Sequence, residues 1–358
     1  MIFSKFLPKR FLGVDIGTAA IKIVELSRWG ERIKLENYGE ISAGSLYEKT
    51  FRTFEKSTLL LSSQNIAKAV IAVREAAKIK TKECIFSIPD FSTFFTNFDL
   101  PPMTKEELPE AVRYEARQHV PLPLGEVSLD WQVIDNFHKK ETAEEKNKKL
   151  KILLVAVPNE VIGQYQEVAK ICGLNLVFLE AEVFGLLKSL ISKEETKVTG
   201  IMDIGAQSTT YSIIDKGVLK ISHSFDLAGN ELTEQVAKSL SLNYAAAENL
   251  KRQYGFLPSP QNIKDIILPL ADSILREIER ISRNFLQSEN KEVEKFIIAG
   301  GVASIPGIKE YFREYLGKET EIANPFLNIY CPPILEKTLK EMGPAYAIAV
   351  GLALRGLE

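Results

Sequence analysis

The sequence contains few of the residues that build disulfide frameworks and metal sites, with 3 cysteines and 3 histidines among 358 residues. Cys84, Cys172 and Cys331 are far apart, odd in number and without the spacing of metal ligands, which favours a reducing cytoplasm. No apolar run has the length of a membrane span, and residues 1–10 lack the apolar region and cleavage site of a signal peptide. A formal net charge of −2 argues against a general nucleic-acid binder. We therefore expect a cytoplasmic protein with no nucleic-acid partner.

Two common nucleotide-binding motifs are also missing. The sequence has no Gly-x-x-x-x-Gly-Lys-Ser/Thr loop, and no Gly-x-Gly-x-x-Gly follows a predicted strand. Both absences argue against P-loop and dinucleotide-binding domains. The chain is nevertheless longer than a usual single domain, and its hydrophobic content of 45% is enough for two cores.

The sequence does contain one motif that occurs twice. Residues 15–18 read Asp-Ile-Gly-Thr, and residues 203–206 read Asp-Ile-Gly-Ala. Each copy ends an apolar run and opens a predicted β-hairpin. A single copy could be no more than a strand-to-turn transition, but two copies in equivalent hairpins predict two half-molecules of matching plan.

The chemistry of this motif predicts a clamp for a metal and a nucleotide. Gly17 and Gly205 have no Cβ, so that backbone N–H groups can approach a phosphate closely. Asp15 and Asp203 would repel a phosphate unless a hydrated Mg²⁺ lay between them. The other hairpin residues expected near the phosphates are Thr18, Lys22, Ala206, Gln207 and Ser208.

A glycine pair follows a third predicted strand. Residues 295–299 form a short apolar run, and Gly300, Gly301 and Val302 come directly after it. A double glycine after a strand allows a flat ring to lie against bare backbone.

The order and spacing of these elements resemble the actin-like ATPase superfamily across nearly the whole chain. The resemblance implies an α/β fold of two related halves around a nucleotide cleft, with ATP and Mg²⁺ as cofactors. It also implies two connecting helices, one near Glu182 and one that includes residues 343–351, where Ala and Gly permit a close helix crossing.

The same resemblance implies roles for acidic residues of the cleft. Asp15 and Asp203 would hold the hydrated metal, and Asp203 would thereby take part in catalysis. An acid at the head of the first connecting helix would orient the attacking water. Glu182 has this position, with Glu180 as its rival, and the alternative is that Glu182 only caps its helix.

In the second half, the resemblance implies further nucleotide contacts. Gly229 and Asn230 precede a predicted helix, and Asn230 departs from the family pattern because many relatives have glycine there. The resemblance assigns Glu248 and Lys251 to the ribose hydroxyls, a role that suits their spacing of one turn on one helix face. The alternative for this pair is an exposed ion pair within the helix.

The region between the halves resembles the inserted subdomain of FtsA-like and PilM-like proteins. Its sequence motifs favour the PilM family: Pro-x-Met is followed by Glu-Glu-Leu, Tyr-Glu-Ala-Arg-Gln, Val-Pro-Leu-Pro and Leu-Asp-Trp. We expect this α+β insert to open with a strand at 84–89, to continue with a helix capped by Thr104 and Glu107, and to close with a helix at 159–171. The implied units are residues 1–80 with 174–198 for the first half, 81–173 for the insert, 199–342 for the second half and 343–358 for the second connecting helix.

Membership in the PilM family would imply a cytoplasmic ATP-binding adaptor with at most slow ATP hydrolysis, peripheral to the inner membrane. Its expected partners are the N-terminal cytoplasmic peptide of PilN and other pilus platform proteins, and a homo-oligomer is compatible with the family. The alternative is an FtsA-like polymerising cell-division protein, although FtsA-like chains continue into a membrane helix and this sequence ends at Glu358. A phosphotransferase is the third hypothesis. The candidate peptide-groove residues are Phe91, Phe94, Phe95, Phe98, Leu100 and Trp131, and the alternative for each of them is simple packing in the core.

Overall fold

Two five-stranded sheets of the same plan organise the chain. The computed structural model describes residues 8–42, 54–55, 58–59, 62–134 and 149–358. The first sheet contains, in spatial order, β10 (Asn175–Ala181), β6 (Glu83–Ile88), β1 (Lys9–Ile16), β2 (Ala20–Trp29) and β3 (Arg32–Ser42). The second contains β15 (Glu319–Ile322), β14 (Lys295–Ala299), β11 (Thr199–Ile204), β12 (Thr209–Asp215) and β13 (Val218–Phe225). Strands β1 and β11 each pair antiparallel with the next strand of the chain and parallel with a later one. The predicted duplication of the fold is confirmed.

Helices cover these sheets in the way that their apolar faces require. The helices of the described residues are α1 (Ser63–Ala76), α2 (Leu108–His119), α3 (Asn159–Ile171), α4 (Glu182–Leu190), α5 (Gly229–Leu240), α6 (Tyr244–Tyr254), α7 (Ile263–Glu289), α8 (Ile308–Leu316) and α9 (Glu336–Gly356). Helices α1 and α3 bury Val70 and Tyr165 against the first sheet. Helix α7 buries Ile267, Ala271 and Ile274 against the second sheet, and these residues recur at the three-to-four-residue spacing of one helix face. Within the described residues, no helix is both long and apolar enough to span a bilayer.

Helices α4 and α9 lie between the two halves and share one core with both sheets. That core contains Leu26 of the first sheet and Ile297 of the second. The helices cross very closely, because a Cβ on Gly351 would lie 1.8 Å from the carbonyl oxygen of Gly185. Helix α9 begins at Glu336, earlier than the predicted 343, since the turns before Gly343 consist mainly of good helix formers and bury Leu339.

The insert is a three-stranded antiparallel sheet, and its composition differs from the prediction. Its strands are β7 (Phe94–Leu100), β9 (Leu150–Pro158) and β8 (Val127–Val133), in that spatial order, and α2 covers them. A further ladder of the described residues joins β4 (Phe54–Glu55) and β5 (Thr58–Leu59).

Both elements predicted to bound the insert belong to the first half. Strand β6, expected to open the insert, lies between β1 and β10 in the first sheet. Its Cys84, Ile85 and Phe86 are all buried, as in a central parallel strand covered on both faces. Helix α3 has the predicted bounds but packs on α1 and the first-half core. Among the described residues, the separate unit therefore consists of β7, α2, β8 and β9.

Helix α2 begins later than the predicted capping box requires. Its first residue is Leu108, with Pro109 directly after it, and the fixed φ of proline suits the first turn of a helix. The carboxylate of Glu107 accepts hydrogen bonds from the backbone N–H (2.8 Å) and hydroxyl (3.0 Å) of Thr104. The predicted pair thus stabilises the turn before the helix rather than the helix end itself.

Candidate functional site

The two repeated motifs form matching turns at equivalent ends of the two sheets. The backbone N–H of Gly17 donates to the carbonyl of Ala20 at 3.1 Å, and that of Gly205 donates to the carbonyl of Ser208 at 3.0 Å. A carboxylate precedes each turn near the end of its strand, Asp15 on β1 and Asp203 on β11. Related turns therefore present related chemistry from the two halves.

Asp15 and Asp203 influence each other across the cleft. Burial and the charge of Asp15 raise the pKa of Asp203 to about 7. Asp15 has two partners of its own, because Lys22 Nζ lies 3.5 Å from its Oδ2 and the Ser87 hydroxyl donates to its Oδ1 at 3.0 Å. Lys22 stands directly opposite Asp15 in the β1–β2 register. The cleft thus carries more negative charge than its neighbouring cation offsets, which favours the arrival of a further cation.

Glu182 lies with these acids, whereas its rival Glu180 does not. Burial raises the pKa of Glu182, and the charges of Asp90, Asp15 and Asp203 raise it further. Glu180 is instead 3.6 Å from Arg355 Nε, near the end of α9. Since Glu182 is the first residue of α4 and its carboxylate accepts the backbone N–H of Asp90 at 3.2 Å, it is more than a cap of its own helix.

Asp90 is a member of this acidic group that sequence reasoning missed. It is 3% exposed and lies in a short 3₁₀ turn after β6. The sheet topology explains why Asp90 lies beside Glu182. Strands β6 and β10 are adjacent and parallel, with Ile88 paired to Ala181. The residues that follow the two strands therefore meet at one edge of the sheet. That pairing joins segments about 90 residues apart, and no local pattern indicates it.

The glycine pair after β14 has the predicted conformation for close approach. Gly300 has φ +82°, and a Cβ there would lie 2.4 Å from the carbonyl oxygen of Ile204 and 2.7 Å from Asp203 Oδ1. At Gly301 a Cβ would meet no atom within 4 Å, so open space adjoins bare backbone. Val302 is buried directly after the pair. The turn therefore adjoins the metal-site candidate Asp203 and leaves room for a ring.

The N-terminus of α5 joins this turn to the second hairpin. The backbone N–H of Gly229 donates to Gly205 O at 3.0 Å, and that of Asn230 donates to Ala206 O at 2.7 Å. A Cβ on Gly229 would lie 2.9 Å from Val302 Cγ2. Segments from three separate parts of the chain thus meet at one place, and they contain the predicted residues Ala206, Gln207 and Ser208.

Glu248 and Lys251 form an ion pair, but not the exposed pair of the alternative hypothesis. Their charged atoms are 2.6 Å apart, and Lys251 is only 4% exposed. Lys251 also donates to Gly229 O at 2.9 Å and to the Thr233 hydroxyl at 2.6 Å. Burial lowers the pKa of Lys251 although Glu248 opposes this effect. The pair ties α6 to the start of α5, at the edge of the candidate nucleotide site.

The donor set suits a magnesium nucleotide better than a bare metal ion. Within the described parts of the chain, no group of three or more His, Cys, Asp or Glu side chains is arranged to hold a metal. Mg²⁺ usually keeps several waters and takes only one or two carboxylates together with substrate phosphates. The facing carboxylates of Asp15 and Asp203, beside two glycine turns, match that requirement.

A separate groove lies on the insert, between α2 and β8. Its volume is about 260 Å³, and its lining residues are Pro109, Val112, Arg113, Leu124, Val127, Leu129 and Trp131. Of the predicted groove residues, only Trp131 lines it. Phe98 and Leu100 are buried in the core of the insert, Phe94 packs against that core, Phe95 contacts Phe184 edge to face, and Phe91 packs on the first-half core. Aromatic residues of the insert thus serve mainly as core.

The insert also contacts the second half. The Asn97 side-chain amide donates to the carbonyl of Lys220 on β13 at 2.6 Å, and Lys151 Nζ is 2.6 Å from Glu289 Oε1 at the end of α7. The insert is covalently part of the first half, so these contacts span the two halves.

Comparisons with known proteins agree with this architecture. The family model described as type IV pilus assembly protein PilM matches residues 13–357. Among solved structures, the chain resembles the PilM-PilN type IV pilus biogenesis complex, with 25% identity, a TM-score of 0.84 and coverage of 97% of this chain and 98% of that one. It also resembles the ethanolamine utilization protein EutJ from Carboxydothermus hydrogenoformans, at 16% identity with a TM-score of 0.59, over 98% of this chain and 91% of that one.

Two further relatives extend the comparison. MreB 5 of Spiroplasma citri bound to AMPPNP has a TM-score of 0.52 at 16% identity, over 93% of this chain and 97% of that one. The cell division protein FtsA of Staphylococcus epidermidis is 18% identical in an alignment 354 positions long, which covers 88% of this chain and 74% of that protein. The similarities to EutJ and MreB 5 show the fold alone, and they confirm the predicted actin-like architecture.

Proposed function

Because this chain belongs to the family of type IV pilus assembly protein PilM, we propose that it is an ATP-binding adaptor of the pilus platform, held at the inner membrane through its partners. The observation that carries this proposal is the pair of matching hairpins, which direct Asp15 and Asp203 into one cleft of a chain whose whole length follows the family pattern.

The proposed ligand of the cleft is ATP with hydrated Mg²⁺. Asp15 and Asp203 would hold waters of the metal, which when bound neutralises charge on the phosphates. Lys22 would move from Asp15 towards the phosphates, and Thr18 with the N–H groups of both turns would cradle them. The full set of proposed nucleotide contacts is Gly17, Thr18, Lys22, Gly205, Ala206, Gln207, Ser208, Gly229, Asn230, Glu248, Lys251, Gly300, Gly301 and Val302.

The cleft favours slow hydrolysis rather than rapid turnover. Glu182 would accept a hydrogen bond from a water and direct it at the terminal phosphate. Yet Glu182 and Asp203 both have raised pKa values, caused by burial and neighbouring carboxylates. A bound cation would offset the negative charge of these carboxylates, and we propose that the chain holds Mg-ATP and hydrolyses it slowly at most.

The proposed partner is the N-terminal cytoplasmic tail of PilN, bound in the groove between α2 and β8. A related chain forms a complex with PilN, and this groove is a cavity on the insert of the present chain. Trp131 and Leu129, both partly exposed, offer apolar area to a hydrophobic side chain, while Arg113 offers a charge to an acidic group or a terminal carbonyl. The contacts of the insert with β13 and α7 would let the tail influence both halves.

The chain offers a matched pair of tryptophans for testing this docking site. Trp131 lines the groove, whereas Trp29, the other tryptophan, is 69% exposed at the β2–β3 turn. We expect Trp131→Ala to weaken binding of a fluorescently labelled PilN tail at least tenfold, and Trp29→Ala to leave it unchanged. In a Trp29→Phe protein, the fluorescence of the remaining Trp131 should shift as the tail binds. Equal affinity of the Trp131→Ala and wild-type proteins would exclude this groove, and filaments without tail binding would favour the FtsA-like alternative.

A further inference from the structure

Asp90 lies beside Glu182 in the cleft, but none of the nucleotide contacts proposed above uses it. It belongs to the 3₁₀ turn Asp90–Ser92, which connects β6 of the first sheet with β7 of the insert. Its side chain is almost entirely buried, at 3% exposure. Burying a carboxyl group costs free energy unless the group is hydrogen-bonded or paired with a charge, so this position calls for a physical explanation.

One explanation is that Asp90 caps helix α4 from a distant part of the chain. The N-cap residue of α4 is Ala181, which has no side-chain oxygen to accept a first-turn N–H. Oδ1 of Asp90 accepts the backbone N–H of Val183 at 3.2 Å instead. The helix that carries Glu182 is therefore anchored by a residue on another strand.

A second hydrogen bond runs in the opposite direction between the same segments. The backbone N–H of Asp90 donates to Oε2 of Glu182 at 3.2 Å. Together the two bonds restrain the start of α4 and the direction of the Glu182 carboxylate. We propose that Asp90 is a positioning residue for ATP hydrolysis, which holds Glu182 in the orientation needed to direct the attacking water; this inference rests on the nucleotide-binding function proposed above.

The second carboxyl oxygen of Asp90 supports the same role. Oδ2 is buried and makes no hydrogen bond among the residues that the structure describes. Burial and the charge of Asp203 raise the pKa of Asp90 to about 8, so that this carboxyl belongs to the electrostatic group of the cleft. A purely structural helix cap would gain nothing from an unpaired buried oxygen.

The reaction that Asp90 assists is ordinary phosphoanhydride hydrolysis. The oxygen of a water forms a bond to the γ-phosphorus of ATP, and the bond from that phosphorus to the bridging oxygen breaks. The products are ADP and phosphate, and the protons of the water leave with the phosphate. Asp90 touches none of these atoms, because it acts through the orientation of Glu182.

The test separates nucleotide affinity from the hydrolysis step in the full-length chain. Affinity is measured with a fluorescent ATP analogue and Mg²⁺, and hydrolysis with γ-labelled ATP under single-turnover conditions over hours. We expect Asp90→Ala to keep an affinity within threefold of wild type and to slow hydrolysis at least tenfold. Asp90→Asn retains an oxygen for the Val183 N–H, and we expect it to restore the rate to within threefold of wild type. The matched control is Ser92→Ala in the same turn, which removes a hydrogen bond to Pro89 and should leave the rate unchanged.

The outcomes distinguish this inference from the proposed function. If wild type does not bind Mg-ATP, the proposed function itself fails. If wild type binds Mg-ATP but shows no hydrolysis, or if Asp90→Ala hydrolyses at the wild-type rate, only the role of Asp90 is overturned. An Asp90→Asn rate as low as that of Asp90→Ala would overturn it as well, since the retained hydrogen bond would then have no effect. Thermal unfolding of each variant identifies any loss of fold, and Asp90→Asn keeps the test valid if Asp90→Ala does not fold.

Discussion

Replacing Asp203 by asparagine should stabilise the free protein while weakening its binding of Mg-ATP. Asp203 lies near Asp15 and is largely enclosed by protein atoms, and these effects raise its pKa from 3.8 to about 7. A carboxyl with a raised pKa opposes folding wherever the folded protein must ionise it. Asparagine has nearly the same shape and no charge, so it removes that cost. At a position selected only for stability, such a substitution would lower the free energy of unfolding rather than raise it.

The expected gain in the free energy of unfolding follows from the size of the pKa shift of Asp203. At about 1.36 kcal/mol for each pKa unit, the rise sets an upper limit of about 4 kcal/mol at pH 8. Asp203 is partly exposed at the cleft surface, and solvent screening reduces this limit, so we expect about 1–2 kcal/mol. At about 2–4 °C for each kcal/mol, the melting temperature should rise by a few degrees.

The pH dependence has a definite sign. Below about pH 4 the carboxyl is protonated in both the folded and the unfolded chain, and the cost is absent. It grows as the pH rises through the interval between 3.8 and about 7 and is constant above it. The advantage of Asp203→Asn over wild type should therefore be greater at pH 8 than at pH 5.

The assay combines urea unfolding at both pH values with calorimetric titration of Mg-ATP. We expect the affinity of Asp203→Asn for Mg-ATP to fall at least tenfold, because one of two carboxylates facing the metal is lost. Asp215→Asn on β12 is the control: its carboxylate pairs with Lys291 at 2.5 Å, and its loss should lower stability slightly and leave ATP binding intact. An Asp203→Asn protein that is less stable than wild type at pH 8, or that binds Mg-ATP equally well, would refute the reasoning.

Three further predictions concern the crossing of α4 and α9, the Glu248–Lys251 ion pair and the metal. Gly351→Ala places a Cβ 1.8 Å from the main-chain oxygen of Gly185, a clash that no rotamer can relieve. We therefore expect the free energy of unfolding, measured in urea, to fall by about 3 kcal/mol. The control is Gly163→Ala on α3, where a Cβ meets nothing within 4 Å and the free energy of unfolding should not fall. Lys251→Met leaves the Glu248 carboxylate without a buried cation, and we expect it to lower the free energy of unfolding by about 3 kcal/mol and to abolish ATP binding. Arg252→Met removes a cation from the exposed side of the same carboxylate and should cost less than about 1 kcal/mol. Equal costs for the two variants would contradict the argument from burial. ATP at a hundredfold excess over its Kd should stabilise the folded chain by about 2.7 kcal/mol and so raise its melting temperature. Removal of Mg²⁺ with EDTA should cancel this rise. A rise that survives EDTA would exclude a role for the metal in ATP binding.

The duplicated hairpins could be predicted from the sequence because their signals are local. A glycine turn between two apolar runs determines both the strands and their register, and this places Asp15 and Asp203 at equivalent positions. The glycine turn after β14 could be located for the same reason, whereas the positive φ of Gly300 is known only from the structure.

The extent of the insert and the role of Asp90 could not be predicted in this way. Both depend on the parallel pairing of β6 with β10, whose partners Ile88 and Ala181 are about 90 residues apart. A strand such as β6 has the same apolar composition whether it opens a new unit or lies inside an existing sheet. Only tertiary pairing brings Asp90 to the start of α4, and only there does its buried carboxyl acquire a partner in Val183.

The most direct test of the adaptor proposal is a calorimetric titration of the full chain with the N-terminal cytoplasmic peptide of PilN from the same organism, with and without Mg-ATP. We predict saturable one-to-one binding of the peptide to the chain loaded with Mg-ATP. Any change in peptide affinity caused by Mg-ATP must be matched by an equal change in ATP affinity caused by the peptide. A chain that binds Mg-ATP but takes up no peptide in either nucleotide state would contradict the proposal that it links PilN to the pilus platform.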